Sequence, residues 1–165
     1  MFIPNHTPDL SPEDFFIVID GETVVGCAAI WDQGAFKQTM VRGYSKRVKN
    51  FRGLINLISR VVGMPTLPPL NSKIKHAYAC HLAVDNDDPE IYKALLRSLY
   101  NHAVEQGYYY FMLGLCENHP FLEQTQKDYN HIDYKSIIYL VTWDMDSDPQ
   151  TQLDDRLPAP EIAIL

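Results

Sequence analysis

The sequence of 165 residues has only three cysteines, no leader-like start and no long apolar run. Cys27, Cys80 and Cys116 are far apart, and each lies in an apolar, strand-like stretch, which is typical of reduced core residues. No apolar run approaches the roughly 20 residues of a membrane-spanning helix, and residues 1–6 lack the basic start and apolar core of a signal peptide. We therefore expect a cytoplasmic protein that does not associate with membranes.

Metal-ligand spacings are also missing. The cysteines are not spaced as zinc ligands, and no two of the six histidines are four residues apart. The sequence thus predicts no metal site.

Acidic residues are absent from residues 37–60, here called the basic segment. The whole chain carries −7 and this segment carries +7, so the remainder carries −14. The overall acidity argues against a general affinity for nucleic acid. The segment fits either an anion site or the solvated flank of a helix packed on a sheet. Its cations are Lys37, Arg42, Lys46, Arg47, Lys49, Arg52 and Arg60.

The chain is divided here into an extended arm (1–14), a single domain (15–143) and an acidic, proline-containing tail (144–165). The arm either docks or stays free, and residues 162–165 are apolar enough to return to the core. Residues 15–19 and 23–31 predict a β-hairpin around Asp20-Gly21, with a bulge at Gly26. Ser45 then predicts the start of a helix with a broad apolar stripe through residue 62.

The centre of the domain reads as strand, helix, strand. Residues 77–84 alternate so that Tyr78, Cys80, Leu82 and Val84 share one face and His81 lies on the other. Asp88 predicts a helix start and Gly107 its end, and residues 108–116 form a second apolar run. Two strands joined by one helix should be parallel neighbours. The predicted class is thus α/β with a mixed sheet.

Two elements are predicted beyond this unit. Residues 118–127 indicate a short helix with Pro120 in its first turn. Residues 134–143 give the strongest strand signal of the chain and are expected to form a final antiparallel strand.

This order of elements resembles the GNAT superfamily of acyl-CoA-dependent N-acyltransferases. The residues that carry the likeness are His81-Leu-Ala-Val-Asp85, Leu95-Leu96 and Met112-Leu-Gly-Leu-Cys-Glu-Asn118, within residues 15–143. The resemblance implies that the two central parallel strands splay apart and that acetyl-CoA or another acyl-CoA inserts between Leu82–Val84 and Leu113–Glu117.

The resemblance also implies which residues meet the cofactor. Main-chain groups at Leu82 and Val84 would pair with the pantetheine, the start of the helix would hold the pyrophosphate, and Asn118 would touch the cofactor arm. The family's phosphate loop pattern, Gln/Arg-x-x-Gly-x-Gly/Ala, falls on Asp87, Glu90 and Tyr92, beside Asp88. Because these acids oppose a phosphate, we expect weak binding.

The family's catalytic positions are only partly matched. The base positions on the first central strand hold Tyr78 and Cys80, and His81 has suitable chemistry but the opposite strand parity. Tyr129 is nearest to the family's tyrosine acid, whose own place holds Gln126. We expect Tyr129 to lie nearer the cleft than His81.

Two functions remain open. One is transfer of an acetyl group to an amine on a small molecule or protein, and the other is a non-catalytic binding or interaction module on the same fold. Residues 1–14 are too few for the strand and two helices that begin the family fold. Either a missing amino-terminal half supplies that wall, or the basic helix at 46–62 takes its place. A homodimer is the other expected assembly.

Overall fold

The computed structural model describes residues 7–64, 66–139 and 156–164. The chain divides into two compact units, residues 1–114 with 161–165, and residues 115–160. The first unit is an α/β unit with a four-stranded mixed sheet in the order β1-β2-β3-β4. Its strands are β1 (Phe15–Asp20), β2 (Thr23–Trp31), β3 (His76–Val84) and β4 (Tyr110–Met112), and its helices are α1 (Lys46–Val61) and α2 (Pro89–Glu105).

The hairpin β1-β2 has nearly the bounds that the sequence predicts. Gly21 takes a φ of +60° in the turn, a conformation that glycine adopts without steric cost. The hairpin register shifts opposite Val18 and Ile19, which leaves Val25 rather than Gly26 as the extra residue. A Cβ at Gly26 would come within 2.7 Å of Ile91, so this glycine lets α2 pack closely on the sheet.

Helix α2 begins and ends where its local sequence predicts. The Asp88 side chain accepts from the backbone N–H groups of Glu90 and Ile91, Pro89 takes the first helical position, and Gly107 follows with a φ of +69°. The helix buries one face against strands β1–β3. The fully buried part of this core is Ala28, Ile30, Ala77, Ala79, Leu95, Leu99 and Ala103.

The other sheet face carries a second, smaller core. Ala29, Trp31, Tyr78 and Cys80 form it together with Leu10, and Ala163 closes it. The described part of the predicted arm therefore docks: Trp31 donates its indole N–H to the carbonyl of Pro8, and Pro12–Asp14 form a 3-10 turn in place of an extended chain. Residues 1–6 lie outside the described residues.

Helix α1 corrects one expectation. Ser45 caps it as predicted, but its apolar face does not pack on the sheet: Leu54, Leu57 and Val61 are 55%, 58% and 81% exposed. The helix is held instead by its opposite side, where Asn56 exchanges two hydrogen bonds with the backbone of Leu67. Spacing alone could not show which face of an amphipathic helix finds a partner.

The second unit contains α3 (Leu122–Asp128), which starts two residues after Pro120. The predicted final strand is not formed in its described half. Residues 134–139 have no regular secondary structure, and Tyr134 and Ile137 are 91% and 75% exposed. A strand needs a partner for its backbone, which β-propensity does not supply. Residues 140–143 and most of the predicted acidic tail lie outside the described residues.

Among the described helices, none has the length and apolarity to cross a membrane.

Candidate functional site

The candidate site begins where strands β3 and β4 stop pairing. Their parallel register runs only from His76↔Tyr110 to Tyr78↔Met112, although β3 continues to Val84. The predicted second strand (108–116) is therefore shortened to three residues. Beyond Tyr78, the backbone edge of β3 is not paired with β4, and such an edge can pair with any extended chain.

A bulge at His81 lies in this unpaired part of β3. Between the pairs Ala29↔Cys80 and Cys27↔Ala83, β2 has one residue and β3 has two. His81 takes a φ of 52°, in the left-handed region, which is uncommon for a residue with a side chain. The extra residue shifts every later side chain to the opposite face.

The bulge overturns the predicted strand parity. Leu82 and Val84 pack on the core beneath α2, with Ala77 and Ala79, and not on the side of Tyr78 and Cys80. The His81 ring stacks on Phe15, which packs against the second core, at a centroid distance of 5.8 Å. The parity argument that turned His81 away from the Tyr78 and Cys80 face is therefore wrong.

The main-chain N–H of His81 has an acceptor from a distant part of the chain. It donates to the Glu161 carboxylate with an N···O distance of 2.7 Å. A hydrogen bond from an amide to an ionised carboxylate is among the stronger kinds in proteins. The bulge thus presents one backbone donor to an anionic or strongly polar oxygen.

Residues 161–164, here called the closing segment, cover the second core beside this donor. The Ala163 carbonyl accepts from Gln33 Nε2 at 2.6 Å, and the Ala163 side chain is 4% exposed. Ile162 lies against Gly114, where an added Cβ would overlap it. The expected return of the apolar end to the core is confirmed for Ile162 and Ala163, whereas Ile164 is exposed and Leu165 lies outside the described residues.

Two buried polar groups lie in this site, the Cys80 thiol and the side-chain amide of Gln33. Burial raises the pKa of the Cys80 thiol to about 12, and the negative charges of Glu161 and Asp14 add to that shift. Gln33 is 1% exposed, and its Oε1 is buried without a hydrogen-bond partner in the described parts of the chain. The thiol is therefore unreactive while covered, and the amide oxygen can accept one further bond.

The predicted phosphate loop follows β3 as a short 3-10 turn, Asp85–Asp87. The first two free N–H groups of α2 are already bonded to the Asp88 carboxylate, at 2.8 and 3.3 Å. Asp87 and Glu90 are exposed, and Glu90 pairs with Lys93 at 2.7 Å. Tyr92 is 1% exposed and lies inside the protein rather than at the turn.

The remaining predicted site residues belong to the second unit. Asn118 is exposed, and Tyr129 is half-buried at the end of α3, where its N–H donates to the carbonyl of Thr125. Whether Tyr129 lies near the cleft stays a prediction.

A separate pocket of about 120 Å³ lies near the start of β3. Lys37, Lys73 and Lys75 line it together with Asp32 and the buried His76. Lys75 also contacts the Tyr108 ring, and Asp32 accepts from the Tyr108 hydroxyl. Burial raises the pKa of Tyr108 to about 12, and the bond to Asp32 contributes.

The described residues contain no group of three or more His, Cys, Asp or Glu side chains arranged to hold a metal ion. Sequence reasoning missed Gln33, Gly114 and Glu161, because each acts through a main-chain or packing contact with a residue remote in sequence. The one available signal was the Gly114 position itself, between apolar residues of a predicted strand.

Compared with protein-family models, with curated proteins and with solved structures, the chain gives no match.

Proposed function

We propose that the protein is a divergent GNAT-like N-acyltransferase that takes an acyl-CoA in the gap between β3 and residues 113–114, which follow β4 in the same unit. The observation that carries the proposal is the end of β3–β4 pairing at Tyr78 and Met112, with β3 continuing for six residues, 79–84, that pair with β2 but not with β4. An unpaired main-chain edge suits the amide groups of a pantetheine arm whatever the side chains are.

The bulge supplies chemistry suited to acyl transfer. Attack of an amine on a thioester carbonyl forms a C–N bond and places negative charge on the carbonyl oxygen before the C–S bond breaks. A fixed backbone donor stabilises such an oxygen without reorganising. The His81 N–H already holds a carboxylate oxygen at 2.7 Å, so its position and direction suit an anionic oxygen.

No side chain next to the His81 N–H is proposed as the general acid or base for the reaction. The Cys80 thiol, with its pKa raised to about 12, is a poor source of a base at neutral pH. Tyr129 is proposed as the acid that protonates the departing thiolate. Water or the substrate amine would supply the other transfer.

The start of α2 suits the pyrophosphate of an acyl-CoA less well than the edge of β3 suits its pantetheine arm. Asp88 occupies the N–H groups that would otherwise meet a pyrophosphate, and Asp85, Asp87 and Glu90 add negative charge around them. We therefore expect acetyl-CoA to bind in the high micromolar to millimolar range. Isothermal titration of the full chain with acetyl-CoA tests the proposal, and no heat or thermal shift at millimolar ligand would reject it.

Neutralising the loop should tighten that binding. In Asp87→Asn with Asp88→Asn, the asparagine keeps the helix cap, and two like charges near the phosphates are lost. Each exposed charge contact is worth about 0.2–1 kcal/mol, so affinity should rise about two- to thirtyfold. Glu105→Gln, at the exposed far end of α2, is the control and should change nothing. Unchanged affinity in the double variant would place the phosphates elsewhere.

The second candidate function is a non-catalytic binding module. The specific observation in its favour is that a turn of the chain itself, residues 161–164, already bonds to the His81 N–H and to the Gln33 side-chain amide in this region. A module of this kind would bind peptide and give no acyl transfer to any amine.

The basic segment is proposed to meet an acidic surface of a second copy. Arg47 and Lys49 are exposed and form no salt bridge to any described residue, and the apolar side of α1 beside them is open to solvent. Since the rest of the chain carries −14, a second copy offers the complementary charge.

Arg47→Glu with Lys49→Glu tests this contact. Sedimentation should show weaker self-association than in the unchanged chain, and the difference should shrink as salt is raised. If instead acetyl-CoA affinity falls and sedimentation is unchanged, the cations meet the cofactor's phosphates. If neither changes, the segment is a solvated flank.

A further inference from the structure

We infer that the closing segment, residues 161–164, is a removable intramolecular ligand that covers a main-chain binding groove on β3. The groove is defined by the His81 N–H, the Gln33 side-chain amide, Gly114 and the Cys80 thiol beneath. The inference rests on the proposed function only in naming acyl-CoA as the competing ligand.

The closing segment is held on the sheet by a few separate hydrogen bonds and packing contacts, and it does not pair with the sheet as an added strand. It contributes no strand to the sheet but forms a turn, in which Ile164 N–H donates to Glu161 C=O at 3.0 Å and Ala163 N–H donates to the Glu161 carboxylate at 3.2 Å. It makes two hydrogen bonds to other described residues: the Glu161 carboxylate accepts from the His81 N–H, and the Ala163 C=O accepts from Gln33 Nε2. The first of these uses the backbone N–H at the bulge of β3, and the second uses a buried side-chain amide. Removing the segment would leave both as free donors beside an apolar surface.

The closing segment does not satisfy every polar group in the groove, and this favours its replacement by another ligand. Gln33 Oε1 remains buried without a partner among the described residues, and a buried unpaired acceptor destabilises the covered state. A better ligand would offer an N–H to that oxygen and a carbonyl oxygen to His81. An extended chain that carries amide groups has both, which is the chemistry of pantetheine and of peptides.

Gly114 offers a way to release the segment without altering it. A Cβ at Gly114 would meet three atoms of Ile162, including its Cβ, so Gly114→Ala forces the segment to move. Ile162→Ala removes two of those atoms and should restore closure in the double variant. Ile164→Ala is the control, because Ile164 is 58% exposed.

Cys80 reports closure independently of any cofactor. Its side chain is 1% exposed, and its raised pKa suppresses the thiolate. With Cys27→Ser and Cys116→Ser as background, the rate of reaction with a disulfide reagent at pH 8 measures opening. We expect at least a tenfold faster rate for Gly114→Ala, near-original rates for Gly114→Ala with Ile162→Ala, and no change for Ile164→Ala.

A second variant guards against misfolding of the first. Ala163→Asp places a charge at a position that is 4% exposed while leaving the sheet intact, and Ile164→Asp is its exposed control. Ala163→Asp should also speed the thiol reaction. A free peptide of residues 158–164 at millimolar concentration should slow it again, whereas the peptide with Glu161→Ala should not.

The outcomes separate this inference from the proposed function. Faster thiol reaction and tighter acetyl-CoA binding in Ala163→Asp support both. Faster reaction with protection by the peptide, but no binding of acetyl-CoA, supports the closing segment and rejects the acyltransferase. An unchanged thiol rate in both Gly114→Ala and Ala163→Asp, with circular dichroism unchanged, overturns the inference even if acetyl-CoA binds.

Discussion

Leu99→Ala is expected to lower the free energy of unfolding by about 2–5 kcal/mol, the range for deleting a buried leucine side chain. Leu99 is 1% exposed and sits in the core between α2 and the sheet. The loss combines the transfer free energy of the missing atoms with the cavity left behind. Urea unfolding followed by circular dichroism gives the value.

Leu57→Ala is the matched control, because it makes the same change on another helix. Leu57 is 58% exposed on α1, so its replacement should stay within about 0.5 kcal/mol of the unchanged protein. Both variants should be measured at low protein concentration, where copies do not associate. A loss at Leu57 as large as that at Leu99 would mean that α1 packs on the core after all.

The second large effect is expected at the bulge. His81→Val should cost about 1–3 kcal/mol more than His81→Asn, because a β-branched residue is strained at the positive φ of 52° whereas asparagine tolerates it. Both variants lose the stacking on Phe15, so the difference between them isolates the backbone. Chemical unfolding of the two variants gives the number.

This pair of variants also separates two roles of His81. If the residue acts through its backbone N–H, His81→Asn should keep the closing segment in place, with Cys80 still protected from the thiol reagent. His81→Val should expose Cys80 as the bulge and its N–H are displaced. Equal stability of the two variants would show that the bulge is not held as described. If acyl transfer is measurable and His81→Asn abolishes it while Cys80 stays protected, the imidazole itself is needed.

The sequence predicted the strand and the helix start that frame the candidate site, but not the backbone donor or the carboxylate within it. The extent of β3 and the start of α2 were expected from the run 77–84 and Asp88, and both have nearly the predicted bounds, but the side chains of β3 after Cys80 lie on the opposite faces. The donor that the proposed chemistry uses was not foreseen, since it depends on a register shift between β2 and β3. Glu161 joins the site from 80 residues away, and no local pattern links it to His81.

Sequence by itself determined the elements whose signals are local. The hairpin follows from two alternating strands around Gly21, and α2 follows from the Asp88 cap, Pro89 and Gly107, because turn and cap preferences act within a few residues. Tertiary structure decided the rest. It decided the parity of β3 after Cys80, the three-residue length of β4, the exposed apolar side of α1 and the lack of a strand at 134–139. Each of these depends on which distant backbone or apolar face is available as a partner, and periodicity in one segment carries no information about that partner.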